Sequence, residues 1–413
     1  MSMDSKVPEI RFEGFGGEWA ENNLGELIDI RSAARVHKEQ WTEAGVPFFR
    51  TSDVVSIYKG QENTKAYISH EVYNGLSEKI GKVTKDDLLI TGGGSIGIPY
   101  LVQNDNPLYF KDADLLWLKN NKKFNGYFLY TFFFSAPFKK HIKSISHTGT
   151  IAHYTIEQAK ATPINTCYDE EQTQIGNYFQ KLDSLINQHQ QKHDKLSNIK
   201  KAMLEKMFPK QGETIPEIRF KGFSGEWEEK ELGSDVADII GGGTPSTSIS
   251  EFWDGDIDWY SPTEIGGNVY AEGSQKKITA LGLKSSSAKI LPAGNTVLFT
   301  SRAGIGDMAI LAKPGATNQG FQSFIVKEGF SPYFIYSAGK QIKEFALKHA
   351  SGSTFLEISG KQLRRMKILM PSLEEQTAIG NYFQKLDALI NQHQQQITKL
   401  NNIKQACLSK MFI

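Results

Sequence analysis

Few stretches of this chain have the residue types and spacing of a catalytic or cofactor site. Gly92-Gly93-Gly94-Ser95-Ile96-Gly97 has the G-x-G-x-x-G spacing that lets a backbone approach a pyrophosphate, and it follows an apolar run. Binding there needs a helix whose N-terminal amides face the phosphates. Pro99 follows at once, and the matching later stretch, SRAGIG, lacks the first two glycines, so a turn is expected instead. No G-x-x-x-x-G-K-[ST] P-loop occurs to support ATP-driven chemistry. Two fragments hint at amino-methyl transfer. Phe12-Glu13-Gly14-Phe15-Gly16 superficially fits a glycine-rich turn for S-adenosylmethionine, but its repeat, FKGFS, loses the last glycine. Asn106-Pro107-Leu108-Tyr109 lacks the second proline of the turn that would hold a target amine. H-E-x-x-H and G-x-S-x-G are absent too. No catalytic constellation is expected in this chain.

What remains are loops rich in groups that read polar edges. In the first half these are Arg31, Arg35, His37 and Lys38 in IRSAARVHK, Arg50 in FFRTSD, and His141, Lys143 and His147 in KKHIKSISH. In the second half they are Thr244, Ser246 and Thr247 after a glycine triplet, then Lys276, Lys277, Ser301, Arg302, Asn318 and Gln319. Arg, Lys, Asn and Gln can bond base edges bidentately, and Lys and Arg can hold phosphates. Any one of them is at least as often an ordinary solvated residue.

Positioning such loops takes more than one domain. The 413 residues exceed one ordinary domain, and 39% hydrophobic with 23% charged residues suits buried cores in a soluble chain. A net charge of +1 neither demands nor excludes a nucleic-acid partner, so any basic surface must be local. Cys167 and Cys407 have no Cys or His at ligand spacing and read as reduced thiols, which points to the cytoplasm. No apolar run approaches the roughly 20 residues that span a bilayer. The start, MSMDSKVPEIRFEG, is not expected to act as a signal peptide.

The chain is repeated. EEQTQIGNYFQKLDSLINQHQ at 170 returns at 374 with two differences, and the likeness continues to KMF at Phe208 and Phe412. PEIRFEGFGGEW at Pro8–Trp19 returns as PEIRFKGFSGEW at Pro216–Trp227. The middles between these edges diverge, leaving echoes such as Ile90-Thr91 against Phe299-Thr300. Two tandem units with constant edges and variable middles are therefore expected.

The repeated tail reads as a helix with a heptad seam. Its a and d series runs Ile175, Tyr178, Leu182, Leu185, His189, Lys192, Leu196, Ile199, Met203, and in the second copy Ile379, Tyr382, Leu386, Leu389, His393, Gln396, Leu400, Ile403, Cys407. At about 1.5 Å per residue each helix is roughly 55–60 Å long. One apolar seam on so long a helix needs a partner, and the other copy is the nearest available. Antiparallel pairing would stack the apolar ends and bring His189 near His393 as a polar layer. The middles read as mixed α/β. VPFFRTSDVV, DDLLIT, ADLLWLK, DIDWYSP, NTVLFT and QSFIVK look strand-like, and FNGYFLYTFFFSAPFKKHIKSI and SPYFIYSAGKQIKEFALKHA look helical.

This layout resembles the DNA-specificity subunit of a type I restriction-modification system, over essentially the whole chain. The resemblance rests on the paired EEQ…IG…F…LD helices, the PEIRF…G…GEW edges, GGGTPSTSISEFWDGDIDWYS, and ATNQGF at Ala316–Phe321. The first unit departs from it, with IRSAARVHKEQ for the GGTP stretch and YFKDADLLWL for ATNQGF. The resemblance implies mixed α+β target-recognition domains at 1–168 and 209–370, and repeated spacer helices at 169–208 and 371–413 packed antiparallel as a coiled coil with pseudo-two-fold symmetry. Each domain would read one half of a bipartite, asymmetric sequence in double-stranded DNA. The helices would set the spacing and dock two methylation subunits, with restriction subunits completing the complex. S-adenosylmethionine, ATP and Mg would serve those partners, and this chain would hold no cofactor. Two other readings stay open to the residues alone: a two-domain scaffold whose helices self-associate without DNA specificity, and a self-sufficient methyltransferase, which the broken motifs disfavour.

Overall fold

The apolar runs before Gly92 and after Asp114 become neighbouring antiparallel strands, Leu88–Thr91 and Leu115–Lys119, each buried on both faces almost throughout. A computed structural model of the chain describes residues 6–145, 153–302, 304–352 and 356–413. Two compact units emerge: residues 1–189 with 395–413, and residues 190–394.

In the first unit a four-stranded antiparallel sheet runs Asp29–Arg31, Leu115–Lys119, Leu88–Thr91, Pro99–Leu101. A second sheet places Val46–Phe49 between Tyr67–Ile68, antiparallel, and Tyr109–Phe110, parallel, with Trp41–Thr42 at its edge. The other unit repeats the plan with different residues. Ala237–Gly241, Gln322–Val326, Thr296–Phe299 and Met308–Leu311 form the same antiparallel order, extended by Tyr270–Ala271. Trp253–Tyr260 again lies between an antiparallel strand, Lys276–Ile278, and a parallel one, Gly315–Thr317. Each unit is closed by a two-stranded ribbon that follows its GEW edge: Ala20–Asn23 with Pro163–Thr166, and Glu228–Glu231 with Lys367–Met370.

The G-x-G-x-x-G stretch is the turn joining two of these strands, and no helix starts there. Thr91 is fully buried; its hydroxyl donates to Ser95 O and accepts from Ile98 N. Thr300 makes the same bonds at the same offsets, to Gly304 O and from Asp307 N. The turn ends on Gly97 in one unit and Gly306 in the other, both at positive φ, where a Cβ would be strained. The Asn-Pro-Leu-Tyr fragment is structural as well: the buried Tyr109 donates its hydroxyl to Ala34 O.

Some elements differ from the sequence expectation. VPFFRTSDVV is strand only over Val46–Phe49 and then turns into the helix Thr51–Lys59, because the Asp53 carboxylate accepts from Arg50 N and caps the first turn. The two late helical runs each break into a pair, Gly126–Phe132 with Ala136–Ile145 and Pro332–Ser337 with Gly339–His349.

The repeated tails are single 38-residue helices, Asp169–Lys206 and Leu373–Lys410. Each contributes to both units. In the first unit Phe179 meets Phe412 and Asp183 meets Lys404; in the second, Phe383 meets Phe208 and Asp387 meets Lys200. Within each unit the two helix segments therefore run in opposite senses. Ile175 and Leu182 share a core with Leu400, and Ile379 and Leu386 share one with Leu196. His189 and His393 are half-buried. The strict heptad fails near the centre of the second helix: Leu389 is 39% exposed and Gln396 is exposed, while Ile397 is buried. A straight helix of 3.6 residues per turn drifts about 20° per heptad against a 3.5 repeat, so by this point the seam has turned by about half a residue and Ile397 shares it with the d position.

Candidate nucleic-acid interface

The repeated edges form a frame that presents the variable loops. In PEIRF, the Arg11 guanidinium donates to both carboxylate oxygens of Glu171, at 2.6 and 2.7 Å, and Arg219 does the same to Glu375 at 2.6 Å for each. Both glutamates are buried. The Phe of each KMF ends in a core beside the Trp of a GEW: Phe412 packs edge-on against Trp19, and Phe208 against Trp227. Gln172 accepts from Asn125 N, and Gln376 from Ser331 N; Asn125 and Ser331 cap the first helix of each late pair. Two residues beyond the caps, Tyr127 donates to Asp183 at 2.6 Å and Tyr333 to Asp387 at 2.7 Å. The same carboxylates take Lys404 and Lys200 respectively. Burial, then the neighbouring Asp, holds both phenols well above the ordinary tyrosine range.

On this frame, three stretches of the second unit that are far apart in sequence converge. A Cβ on Gly242 would lie 1.9 Å from Asn318 O, and one on Gly243 would lie 2.3 Å from Ser287 Oγ, so the glycine triplet is what allows the close approach. Thr244 then donates its hydroxyl to Gln319 Oε1. Two indoles pin the loop: Trp259 Nε1 donates to Gly243 O at 2.9 Å and Trp253 Nε1 to Ser246 O at 3.0 Å. Lys276 stands 5.9 Å over the Trp253 ring, and Lys277 lies 3.5 Å from Asp258. Ser301 N bonds Gly320 O at 2.7 Å, which sets Arg302 beside the 318–320 loop, 4.0 Å from Glu357. Asn318 uses its side chain to accept from Gly320 N and so shapes the turn. Thr247 is exposed on the pinned loop. Ser301 corrects the sequence expectation: it is fully buried under the 320 turn, so its hydroxyl cannot reach a ligand. The tryptophan pins were not anticipated, although WDGDIDWY places both indoles on one strand.

The first unit is less convergent. Arg35, His37 and Lys38 are exposed on one loop, and Arg31, at the end of its strand, pairs with Asp29. Lys143 is exposed on the separate helix Ala136–Ile145. Arg50 is committed inward: it holds Asp53 at 2.8 Å, bonds Thr64 O, and lies 5.8 Å over Trp41. His141 is half-buried, and burial lowers its pKa. His147 lies outside the described residues. Among the described residues no cluster of three His, Cys, Asp or Glu could hold a metal ion, and no helix is long and apolar enough to cross a membrane. What the second unit's loops offer is a row of hydroxyl and amide groups beside cationic side chains, the combination that bonds base edges and phosphates.

The profile of the family described as type I restriction modification DNA specificity domain matches twice, over residues 16–198 and 224–402. The type I restriction enzyme MjaIX specificity subunit of Methanocaldococcus jannaschii is 36% identical over 192 residues, 46% of this chain and 44% of that one. The EcoR124I/EcoR124II specificity subunit of Escherichia coli is 34% identical over 176 residues, 40% of this chain and 42% of its own. These two matches thus span less than half the length of either relative. A solved S subunit of a type I restriction-modification system from M. genitalium is similar in fold over 98% of this chain and 99% of its own, with TM-score 0.60 and 16% identity. With two matches that together cover most of its length and fall on the two frames just described, the chain belongs to the type I restriction-modification DNA-specificity family.

Proposed function

We propose that the chain is the sequence-reading, non-catalytic subunit of a type I restriction-modification complex, each variable domain reading one half of a bipartite, asymmetric target in double-stranded DNA. The observation that carries this reading is the contrast between frame and loops. Both units share strand order, turn geometry and the Arg–Glu and Tyr–Asp–Lys joints, yet they present different residues on the loops. Identical joints suit identical partners, and different loops suit different half-sites. On this reading the two long helices pair antiparallel as a coiled coil, set the spacing between half-sites and dock two methylation subunits. Adenine methylation with S-adenosylmethionine, and ATP- and Mg-dependent translocation and cleavage by restriction subunits, are then partner activities carried out inside the cell. Of the residues singled out in the sequence, Thr244, Gln319, Arg302 and Asn318 are the best supported as readers, and Lys276 and Lys277 as phosphate contacts.

The test is an exchange of the segment between Trp227 and Pro371 for that of a relative, co-expressed with the methylation subunit. Mapping of methylated adenines should show one half of the target changed and the other retained. A change in both halves, or in neither, overturns the proposal.

A further inference from the structure

Each unit ties down its first polar loop with a hydrogen bond from a buried aromatic side chain, and the strand registers show that the two ties correspond. In the antiparallel sheets, Thr91 lies opposite Leu115 as Thr300 lies opposite Phe321. Arg31 opposite Trp117 therefore corresponds to Ile240 opposite Ser323. Three residues beyond these positions come Ala34 and Gly243, followed by the exposed Arg35 and Thr244. In the other sheets, Lys111 N bonds Phe49 O as Asn318 N bonds Tyr260 O. The parallel pair Phe48 and Tyr109 thus corresponds to Trp259 and Ala316.

Within that pair the donor changes strands. In the second unit the Trp259 indole donates to Gly243 O at 2.9 Å, and its strand neighbour Ala316 is small. In the first unit Phe48 has no donor to offer. Its large neighbour Tyr109 donates its hydroxyl to Ala34 O and accepts from Ala34 N, each at 3.1 Å. Both Tyr109 and Trp259 are buried. The second indole tie is not shared. Trp41 stands opposite Ile68 as Trp253 stands opposite Ile278. Trp253 bonds Ser246 O, whereas the buried Trp41 N–H has no partner among the described residues. What both units keep, by different chemistry from different strands, is a hold on the carbonyl just before Arg35 or Thr244.

We infer that Tyr109 and Trp259 are positioning residues for sequence reading, each fixing the backbone one residue before a reader, Arg35 or Thr244. This rests on the proposed function and says how each domain keeps its reading loop in place. A loop ordered in advance loses less freedom on binding, so the tie strengthens specific binding without touching a base. Non-specific binding draws on phosphate contacts and does not depend on it.

The test uses the full chain co-expressed with its methylation subunit, with methylated adenines mapped and binding measured on duplexes altered one base pair at a time. The half of the target retained in the Trp227–Pro371 exchange is that of the first domain. Tyr109→Phe removes only the hydroxyl and should lower discrimination in that half by about twofold to tenfold, the worth of one net hydrogen bond. Discrimination in the other half and the salt dependence of binding should not change. Trp259→Phe should relax the other half and spare the first, so the two variants decide independently should one of them fail to fold. Because Tyr109 acts through Arg35, Tyr109→Phe should cost little further discrimination in an Arg35→Ala background. Tyr154→Phe removes another buried hydroxyl bond of the first unit, to Thr162, and is the matched control for lost stability. If a folded Tyr109→Phe or Trp259→Phe leaves its own half unchanged, or Tyr154→Phe relaxes the first half as much as Tyr109→Phe does, the inference is wrong and the proposed function stands. Full additivity with Arg35→Ala overturns it as well. If the wild-type complex shows no bipartite target, the proposed function itself fails.

Discussion

Replacing Gly176 with Ala, set against the same change at Gly380, separates two copies of one motif by their surroundings alone. Both glycines lie in a long helix, where Ala is intrinsically favoured by about 1 kcal/mol. A Cβ on Gly176 would sit 2.1 Å from Asn125 Oδ1 and 3.1 Å from Phe128 N. That oxygen caps the neighbouring helix by accepting from Tyr127 N and Phe128 N. The methyl must displace the cap, costing about 1 kcal/mol, or push the two helices apart, costing about 1–3 kcal/mol as overpacking does. Net of the propensity gain, Gly176→Ala should destabilise by up to about 2 kcal/mol. At Gly380 the nearest atom is Ser331 Oγ at 3.1 Å, a distance a small rotation relieves. Gly380→Ala should fall within about 1 kcal/mol of zero. Urea unfolding of both variants in the full chain gives the ranking, and hydrogen exchange in the 126–132 helix shows whether the cap is the weak point. Should Gly380→Ala cost as much as Gly176→Ala, or Gly176→Ala stabilise, the close approach at the cap is not what keeps the glycine.

Other outcomes follow from the buried joints. Arg11→Ala strands the Glu171 carboxylate in a site with no exposure and should cost about 3–5 kcal/mol, whereas Arg11→Met with Glu171→Leu should cost less than either single change; additive losses in a double-mutant cycle would contradict this. Stability should fall as pH rises above about 10, by about 1.4 kcal/mol per pH unit for each buried phenol, because Tyr109, pushed up to about 12 by burial, and Tyr127, raised further by Asp183, stay neutral in the fold but ionise at about 10 when unfolded. Tyr127→Phe should flatten that slope, and an unchanged slope would refute the assignment. Arg50→Ala should lower stability through the lost guanidinium bonds to the Asp53 carboxylate and Thr64 O while leaving base preference unaltered, as read by binding to substituted duplexes.

The tandem plan, the long helices and several core strands were legible from the sequence because repetition and apolar periodicity are local signals. The turn at Gly92 was legible from Pro99 and from the failure of the pattern to recur. Ser301 was misplaced because a short polar residue next to an arginine carries no mark of the buried ladder bond that turns it inward. Arg50 read as a surface cation because its partner Asp53 belongs to a helix that the β-branched, aromatic composition disguised. The correspondence of Lys111 with Asn318 was invisible for a different reason. It exists only in strand register, where each donates its N–H to the last residue of a parallel neighbour, Phe49 or Tyr260, and such pairings between residues distant in sequence leave no trace in composition.

The cap-and-tyrosine joint acts as a mating standard. Asn125-Gly126-Tyr127 and Ser331-Pro332-Tyr333 share almost nothing in sequence, yet each offers its Gln–Asp helix the same two points of attachment at the same separation. A middle domain of foreign origin that ends in a capping residue with tyrosine two places on arrives already fitted, whatever its loops carry. On the proposed function, new sequence preferences can then be acquired whole, by substitution of a cartridge, and the repeated helices need not change at all.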